Sequence, residues 1–187
     1  MVYFTADLHL GHANIIKFCH RPFTSIEEMD TTIINNWNSK ITHSDGVYIL
    51  GDFAWINHED YARKLNGNIY LIRGNHDYRS DTFYKNKCKF RSITKRSEIS
   101  IEDNHLILDH YSLRTWNRSH YNSWNLYAHS HGTLPSIGKS HDVGVDNNNF
   151  FPVSYEEIKI IMDKAPNNPN YISIQERTHA RTSNSNA

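Results

Sequence analysis

No stretch of about 18 consecutive apolar residues occurs anywhere in this chain of 187, so the length needed for a membrane-spanning helix is missing. Met1 is followed at once by VYFTA, with no basic segment, long apolar run or small-residue cleavage site, which predicts a soluble, cytoplasmic protein with no membrane partner. Cysteine is scarce. Cys19 and Cys88 have no metal-type spacing and read as two reduced thiols, which argues against a disulfide framework. Net charge is lacking too: twenty basic and twenty acidic residues cancel, so the whole molecule has no pull toward nucleic acid or an anionic membrane. Repeats, linkers and low-complexity segments are absent, and a chain of this length buries roughly 70% of its unfolded surface, enough for one core. The reading is one domain over 1–175 and a flexible C-terminal tail over 176–187 that ends in RTSNSNA.

What the chain has in excess is histidine, thirteen of them. Histidine is the commonest metal ligand and the neutral-pH proton carrier, so its placement matters. Three apolar runs, VYFTADLH (2–9), GVYILGDFA (46–54) and NIYLIRGNHD (68–77), each end in polar residues and read as central strands. Between the first two, Ser25 to Glu28 forms a capping box ahead of Ile26, Met29, Ile33, Trp37 and Ile41 at helical spacing. A second crossover helix is expected over Asn57 to Asn66, closed by Gly67. The first half is therefore βαβαβ. In the second half EISIEDNHLILDH (98–110) alternates and pivots on Asp103-Asn104 as an antiparallel hairpin. Strands are expected at 125–129 and 141–146, and a last helix from its Ser154 cap to about Lys164.

The run LIRGNHDYRS poses the functional question. A tight turn accounts for Gly74, through backbone angles closed to other residues, and tolerates Asn75, but not His76 and Asp77. Collecting the polar strand ends gives Asp7 and His9, Asp52, Asn75 and His76, His110, and His129 and His131. The carboxyl ends of parallel strands share one edge, where ligands bind. Two carboxylates, an amide oxygen and four imidazoles suffice for two divalent ions if one carboxylate bridges them, and two ions about 3.5–4 Å apart suit attack on a phosphoryl group. The pairs Asp7/His9 and His129/His131 would each put both side chains on one face of an extended segment.

In order, ADLH, LGDF, RGNHD, LDHYS and AHSHG resemble the motif series of the calcineurin-like binuclear metallophosphoesterases, over about Asp7 to Gly132. Ala128 stands where that family usually has glycine, a change of turn and not of ligand. GHANII, HYSLRTW and VGVDNNNF are similar to the small phosphoesterases frequent in phages and prophages. The resemblance implies an α/β fold, an α/β/β/α sandwich of mixed sheets with the metal site at the strand carboxyl ends. It implies hydrolysis of a phosphate ester by a hydroxide bridging two divalent ions, Mn above all, with Fe, Ni or Zn as alternatives.

Asp7, His9, Asp52 and His131 would hold one ion and Asn75, His110 and His129 the other, with Asp52 bridging. His76 would face the leaving-group oxygen, and Asp77 would orient its imidazole from behind. The expected substrate is a small phosphodiester or cyclic nucleotide. A phosphomonoesterase or protein phosphatase is the alternative, and a nuclease or a non-catalytic scaffold is less favoured. Arg73 and Arg114 are the nearby cations. His12 either touches a substrate phosphate or caps a helix beginning at Ala13, and Arg114 and Trp116 either clamp and stack on substrate or pack at the rim. Arg21 or Lys17 could fold over the site to add charge. Asp146 reads as a support or turn residue. His20, His43, His58, His105, His120, His141 and His179 carry no spacing signal. Lys85, Lys87, Lys89 and Arg91 alternate and read as a charged extended edge.

Overall fold

Val2–Thr5 (β1) leads through two helices, Ala13–Phe18 (α1) and Ile26–Lys40 (α2), to Gly46–Ile49 (β2). His58–Ala62 (α3) then crosses to Asn68–Ile72 (β3), and Asp81–Asn86 (α4) crosses to Ser92–Thr94 (β4). Arg96–Ile101 (β5), Asn104–Asp109 (β6), Trp124–Tyr127 (β7) and Ser140–Asp142 (β8) follow, before Val153–Ser154 (β9) runs into Tyr155–Lys164 (α5). This computed structural model describes residues 1–176, so His179 and the expected tail from 177 onward lie outside the described residues.

The strands form two mixed sheets. The first has the order β4-β3-β2-β1-β9, with only β9 antiparallel, and the second β5-β6-β7-β8, with only the β5–β6 pair antiparallel. Strand alternation divides the core in two. Val47, Ile49, Ile69 and Leu71 face Met29, Ile33 and Trp37 of α2, while Phe4, Leu50 and Ile72 face Leu106, Leu108 and Leu126 of the second sheet. Ile158 and Met162 of α5 join this inter-sheet core. Each such fully buried side chain contributes roughly 1.5–3 kcal/mol. The expected α/β architecture is present, with the site at the strand ends.

Several local expectations are corrected. Ser25 Oγ caps α2 through Glu28 N, but the Glu28 carboxylate turns back to Thr24, so that box is only half closed; the box at Ser154 and Glu157 is complete. The second crossover helix is limited to α3, because Asn57 takes a left-handed φ of 49° and the chain leaves the helix well before Gly67. Lys85 lies in α4 and Lys89 has φ 61°, so the cations from 85 to 91 do not line one extended face. The hairpin pivots one residue earlier than expected, on Glu102 at φ 52° and Asp103.

Candidate metal centre

Beyond their strands the loops after β1 and β2 stay side by side, with Asp7 N donating to Gly51 O at 3.0 Å and His9 N to Asp52 O at 2.9 Å. Asp7, His9, Asp52, His129 and His131 have φ of 53°, 49°, 55°, 68° and 48°. Thus neither candidate pair is extended; the strands stop at Thr5 and Tyr127, and the side chains converge from left-handed turns. Such backbone is sparsely populated by non-glycine residues and costs of order 1 kcal/mol or more each, so the surrounding hydrogen bonds must hold it. Five such residues gather at this one cluster of acids and imidazoles.

Two glycines allow the loops to close on one another. A side chain on Gly74 would meet Asp52 Oδ1 at 2.1 Å, and one on Gly51, at φ 96°, would meet His110 Nδ1 at 2.4 Å. Gly74 is not left-handed, so close approach to a carboxylate, and not its backbone angle, requires glycine there.

Ligand atoms of Asp7, His9 and His131 lie within 4.8 Å of one another, as do those of Asp7, Asp52 and His110, so the two groups share Asp7. Asp52 Oδ2 also reaches both, 3.4 Å from His9 Nε2 and 3.8 Å from His110 Nε2, while its Oδ1 accepts from His76 N at 2.9 Å. Asp7 is fully buried; its Oδ2 accepts from His129 N, but its Oδ1 has no partner, and neither has the buried Nε2 of His9. Burial pushes the Asp7 carboxyl well above the usual range and drives His9, with Arg21 and His131 nearby, down to about 2. Orphaned buried acceptors of this kind cost about 1–3 kcal/mol apiece, and a cation between them removes the cost.

The imidazoles are aimed from behind. His110 Nδ1 lies 2.7 Å from the Leu50 carbonyl, to which it must donate, so its Nε2 carries a lone pair toward Asn75 Oδ1 at 2.9 Å and His129 Nδ1 at 3.2 Å. A lone pair on His110 Nε2 beside the Asn75 amide oxygen is an arrangement that a shared cation would satisfy. His131 Nδ1 bonds Asp146 Oδ2 at 2.8 Å, leaving its other nitrogen for the cluster. Burial works against its charged form, but the Asp146 hydrogen bond and the Asp7 charge prevail and raise it. The donor set of carboxylates, imidazoles and an amide without thiolate fits divalent Mn, Fe, Ni or Zn.

Asp146 also receives Arg21 through Nε and Nη2, both at 2.8 Å, and that guanidinium donates to the Asp7 and Leu8 carbonyls. Arg21 is buried behind the cluster and cannot reach over it as a phosphate clamp. Asp77 is also corrected. Its carboxylate accepts from the backbone N of Asp52, Gly74 and Phe53 at 2.8, 2.8 and 3.2 Å, so it stitches the two loops together and does not hold the His76 imidazole.

His76 keeps a side chain 38% exposed, its Nε2 4.0 Å from Asp52 Oδ2. His12 occupies the start of α1 without a side-chain cap bond and stacks on Trp55, ring centres 4.1 Å apart, with its Nδ1 buried and unpartnered. Trp55, which sequence reading missed, lies 5.3 Å from the His76 ring and so forms a wall of the site; its only signal was its place three residues after Asp52. Arg73 is committed to Asp81 and to the Asp77 and Arg79 carbonyls. Trp116 donates to Ser123 O, and Arg114 is exposed on its loop; neither bonds to the cluster. Tyr111, also missed although it follows His110 directly, packs its ring 4.7 Å from that of His129.

Residues 1–181 match the family model described as calcineurin-like phosphoesterase. The chain belongs to that family. Its members are metal-dependent hydrolases of phosphate esters. An uncharacterized protein of Methanocaldococcus jannaschii is 37% identical over 175 residues, covering 87% of this chain and 92% of its own. The gene 66 protein of Mycobacterium phage L5 is 33% identical over 81 residues, or 40% of this chain and 39% of its own. A crystal structure of an Aquifex aeolicus protein of unknown function superposes with a TM-score of 0.69 at 24% identity, covering 86% of this chain and 98% of its own, and shows the same fold. No helix among the described residues is long and apolar enough to cross a membrane.

Proposed function

We propose that this phosphoesterase is binuclear and acts on a phosphodiester or cyclic nucleotide. The carrying observation is the position of Asp52, whose Oδ2 stands between His9 and His110 as a bridging carboxylate would. Asp7, His9, Asp52 and His131 would hold one divalent ion, Mn in the first instance, and Asn75, His110, His129 and Asp52 the other. When bound, the ions polarise the phosphoryl group and acidify water. The protein's own contribution is positional. Asp77 fixes the Asp52 and Asn75 loops, Asp146 and the Leu50 carbonyl fix the tautomers of His131 and His110, and Asp52 fixes the backbone of His76. The exposed His76 imidazole then donates a proton, or a hydrogen bond, to the departing oxygen.

The diester preference rests on charge. A monoester brings nearly two negative charges to the site and a diester one; Arg21 and Arg73 are bonded elsewhere, which leaves the exposed Arg114 as the cation near the cluster in sequence, with no bond to it. A diester instead needs an acid for its alkoxide, the place His76 occupies. The filled ligand positions disfavour a non-catalytic scaffold, and the balanced charge disfavours a nuclease gripping a long strand. A screen of Mn-loaded protein against monoesters, diesters, cyclic nucleotides, pyrophosphates and a phosphopeptide tests this reading. Diester kcat/KM should equal or exceed monoester kcat/KM. A monoester or phosphopeptide preferred by tenfold over every diester would make the protein a phosphomonoesterase or protein phosphatase.

A further inference from the structure

Next to the candidate metal ligand Asn75 opens a cavity of about 590 Å³, lined by Arg73, Lys95, Arg96, Tyr111 and Leu113. Its volume falls in the range of small-molecule sites, and it is contiguous with the cluster through Asn75. One buried carboxylate organises it. Asp109, whose side chain is 8% exposed, accepts from Arg96 Nε at 2.6 Å with one oxygen and from Tyr111 N at 2.9 Å with the other. Arg96 is therefore anchored through Nε, its terminal nitrogens carry no partner among the described residues, and its side chain is 52% exposed. An arginine pinned this way presents a planar pair of donors suited to a phosphate. Lys95, exposed alongside, has no ion pair among the described residues. Tyr111 is 46% exposed and its ring is braced against the His110 and His129 imidazoles.

We propose that this cavity binds the nucleoside arm of the substrate and that the arm carries a second phosphate: the base lies against Tyr111 and Leu113, and the second phosphate on Arg96 and Lys95. The choice of a nucleotide follows from the lining. A bare phosphorylated sugar would leave the Tyr111 and Leu113 surface uncovered, whereas a base has a π-face for the ring, and an uncharged base alone would leave Arg96 and Lys95 unanswered. The proposal rests on the phosphodiester reading and refines it to a substrate class, the phosphorylated nucleotide diester.

The test uses three diesters with one leaving group: methyl p-nitrophenyl phosphate, thymidine 5′-(p-nitrophenyl phosphate), and the latter with a 3′-phosphate. Mn-loaded wild type should prefer the 3′-phosphorylated ester over the plain thymidine ester by about tenfold or more, one charge-assisted contact's worth. In Arg96→Gln that ratio should fall to within about threefold of one, with Arg96→Lys in between and Lys95→Gln giving a partial fall. Calorimetry without added metal gives a second readout: thymidine 3′,5′-bisphosphate should bind at least about tenfold more weakly to Arg96→Gln than to wild type. A wild-type ratio near one, a ratio unchanged in the Arg96→Gln, Lys95→Gln double variant, or an equal loss on all three esters in Arg96→Gln overturns the pocket, the last by placing Arg96 on the reacting phosphate. If no ester is hydrolysed, the phosphodiester reading fails and calorimetry alone decides the pocket: bisphosphate binding lost in Arg96→Gln upholds it, and binding unaffected by the change overturns it.

Discussion

His131 Nδ1 and Asp146 Oδ2 are 2.8 Å apart, and the same carboxylate closes a bidentate pair with the buried Arg21, 125 residues away in sequence. Asp146 thus serves two functions, fixing the His131 ring and neutralising a guanidinium whose side chain is 0% exposed. Asp146→Ala should lower metal affinity roughly tenfold to a hundredfold, the usual effect of losing a partner behind a ligating histidine. It should also cost about 3–5 kcal/mol of stability, because Arg21 is left buried and unpaired. His131→Ala should lose metal affinity with a much smaller stability loss. Calorimetric metal titration and urea unfolding of the two variants check this, and equal stability losses would contradict the double role.

Neighbours in sequence, His76 and Asp77 differ in kind. His76→Ala should keep its metal content and melting temperature and lose roughly two to four decades in rate on a diester with a poor leaving group, as for loss of a general acid. The loss should shrink on p-nitrophenyl esters, which need little protonation. Asp77→Ala strands the buried backbone N–H groups of Asp52 and Phe53, each worth about 1–3 kcal/mol, and the part-buried one of Gly74. It should lower the melting temperature and the metal content together. A stable, metal-replete Asp77→Ala with reduced rate would return Asp77 to the chemistry.

His58 supplies a pH dependence away from the site. It is 2% exposed among the rings of Phe53, Tyr78, Phe83 and Tyr84, and neither ring nitrogen has a hydrogen-bond partner. Burial, helped by the Arg79 charge, lowers its pKa from the ordinary 6.5. The unfolded chain therefore binds more protons below pH 6.5 than the folded one. The stability involved is fully present above that pH and is lost as the pH falls through and below it. His58→Phe should flatten the acid limb of the stability curve in this window. Identical urea midpoint profiles for variant and wild type between pH 7 and about pH 5 would contradict the assignment.

The gathering of these carboxylates and imidazoles was legible because their residue types stand out in the sequence, and a parallel sheet delivers the ends of β1, β2 and β3 to one edge whatever the exact loop path. The conformations of those ends were not legible. Asp7 and His9 read as extended by alternation, yet both are left-handed, because hydrogen bonds to the neighbouring Gly51–Asp52 loop override local preference. Asp77 was misassigned for a related reason: its acceptors are satisfied by backbone N–H groups of residues 52, 53 and 74, and backbone donors leave no mark in a sequence. The short helix α4 was hidden by its charges, with Tyr84 its buried residue, and its lysines imitated a strand edge. Arg21 could be seen as a cation but not placed, since its partner lies on the last loop before β9.

The measurement that bears most directly on this account is metal content against activity, in wild type and in Asp52→Asn. Chelator-treated wild type should be inactive on bis(p-nitrophenyl) phosphate, and Mn²⁺ added back should restore the rate as occupancy rises to two ions per chain. Asp52→Asn should bind fewer than two at the same free Mn²⁺, because the charge between His9 and His110 that offsets the repulsion of two cations is gone. Full activity in stripped protein, or two tightly held ions in Asp52→Asn, would contradict the bridged binuclear centre.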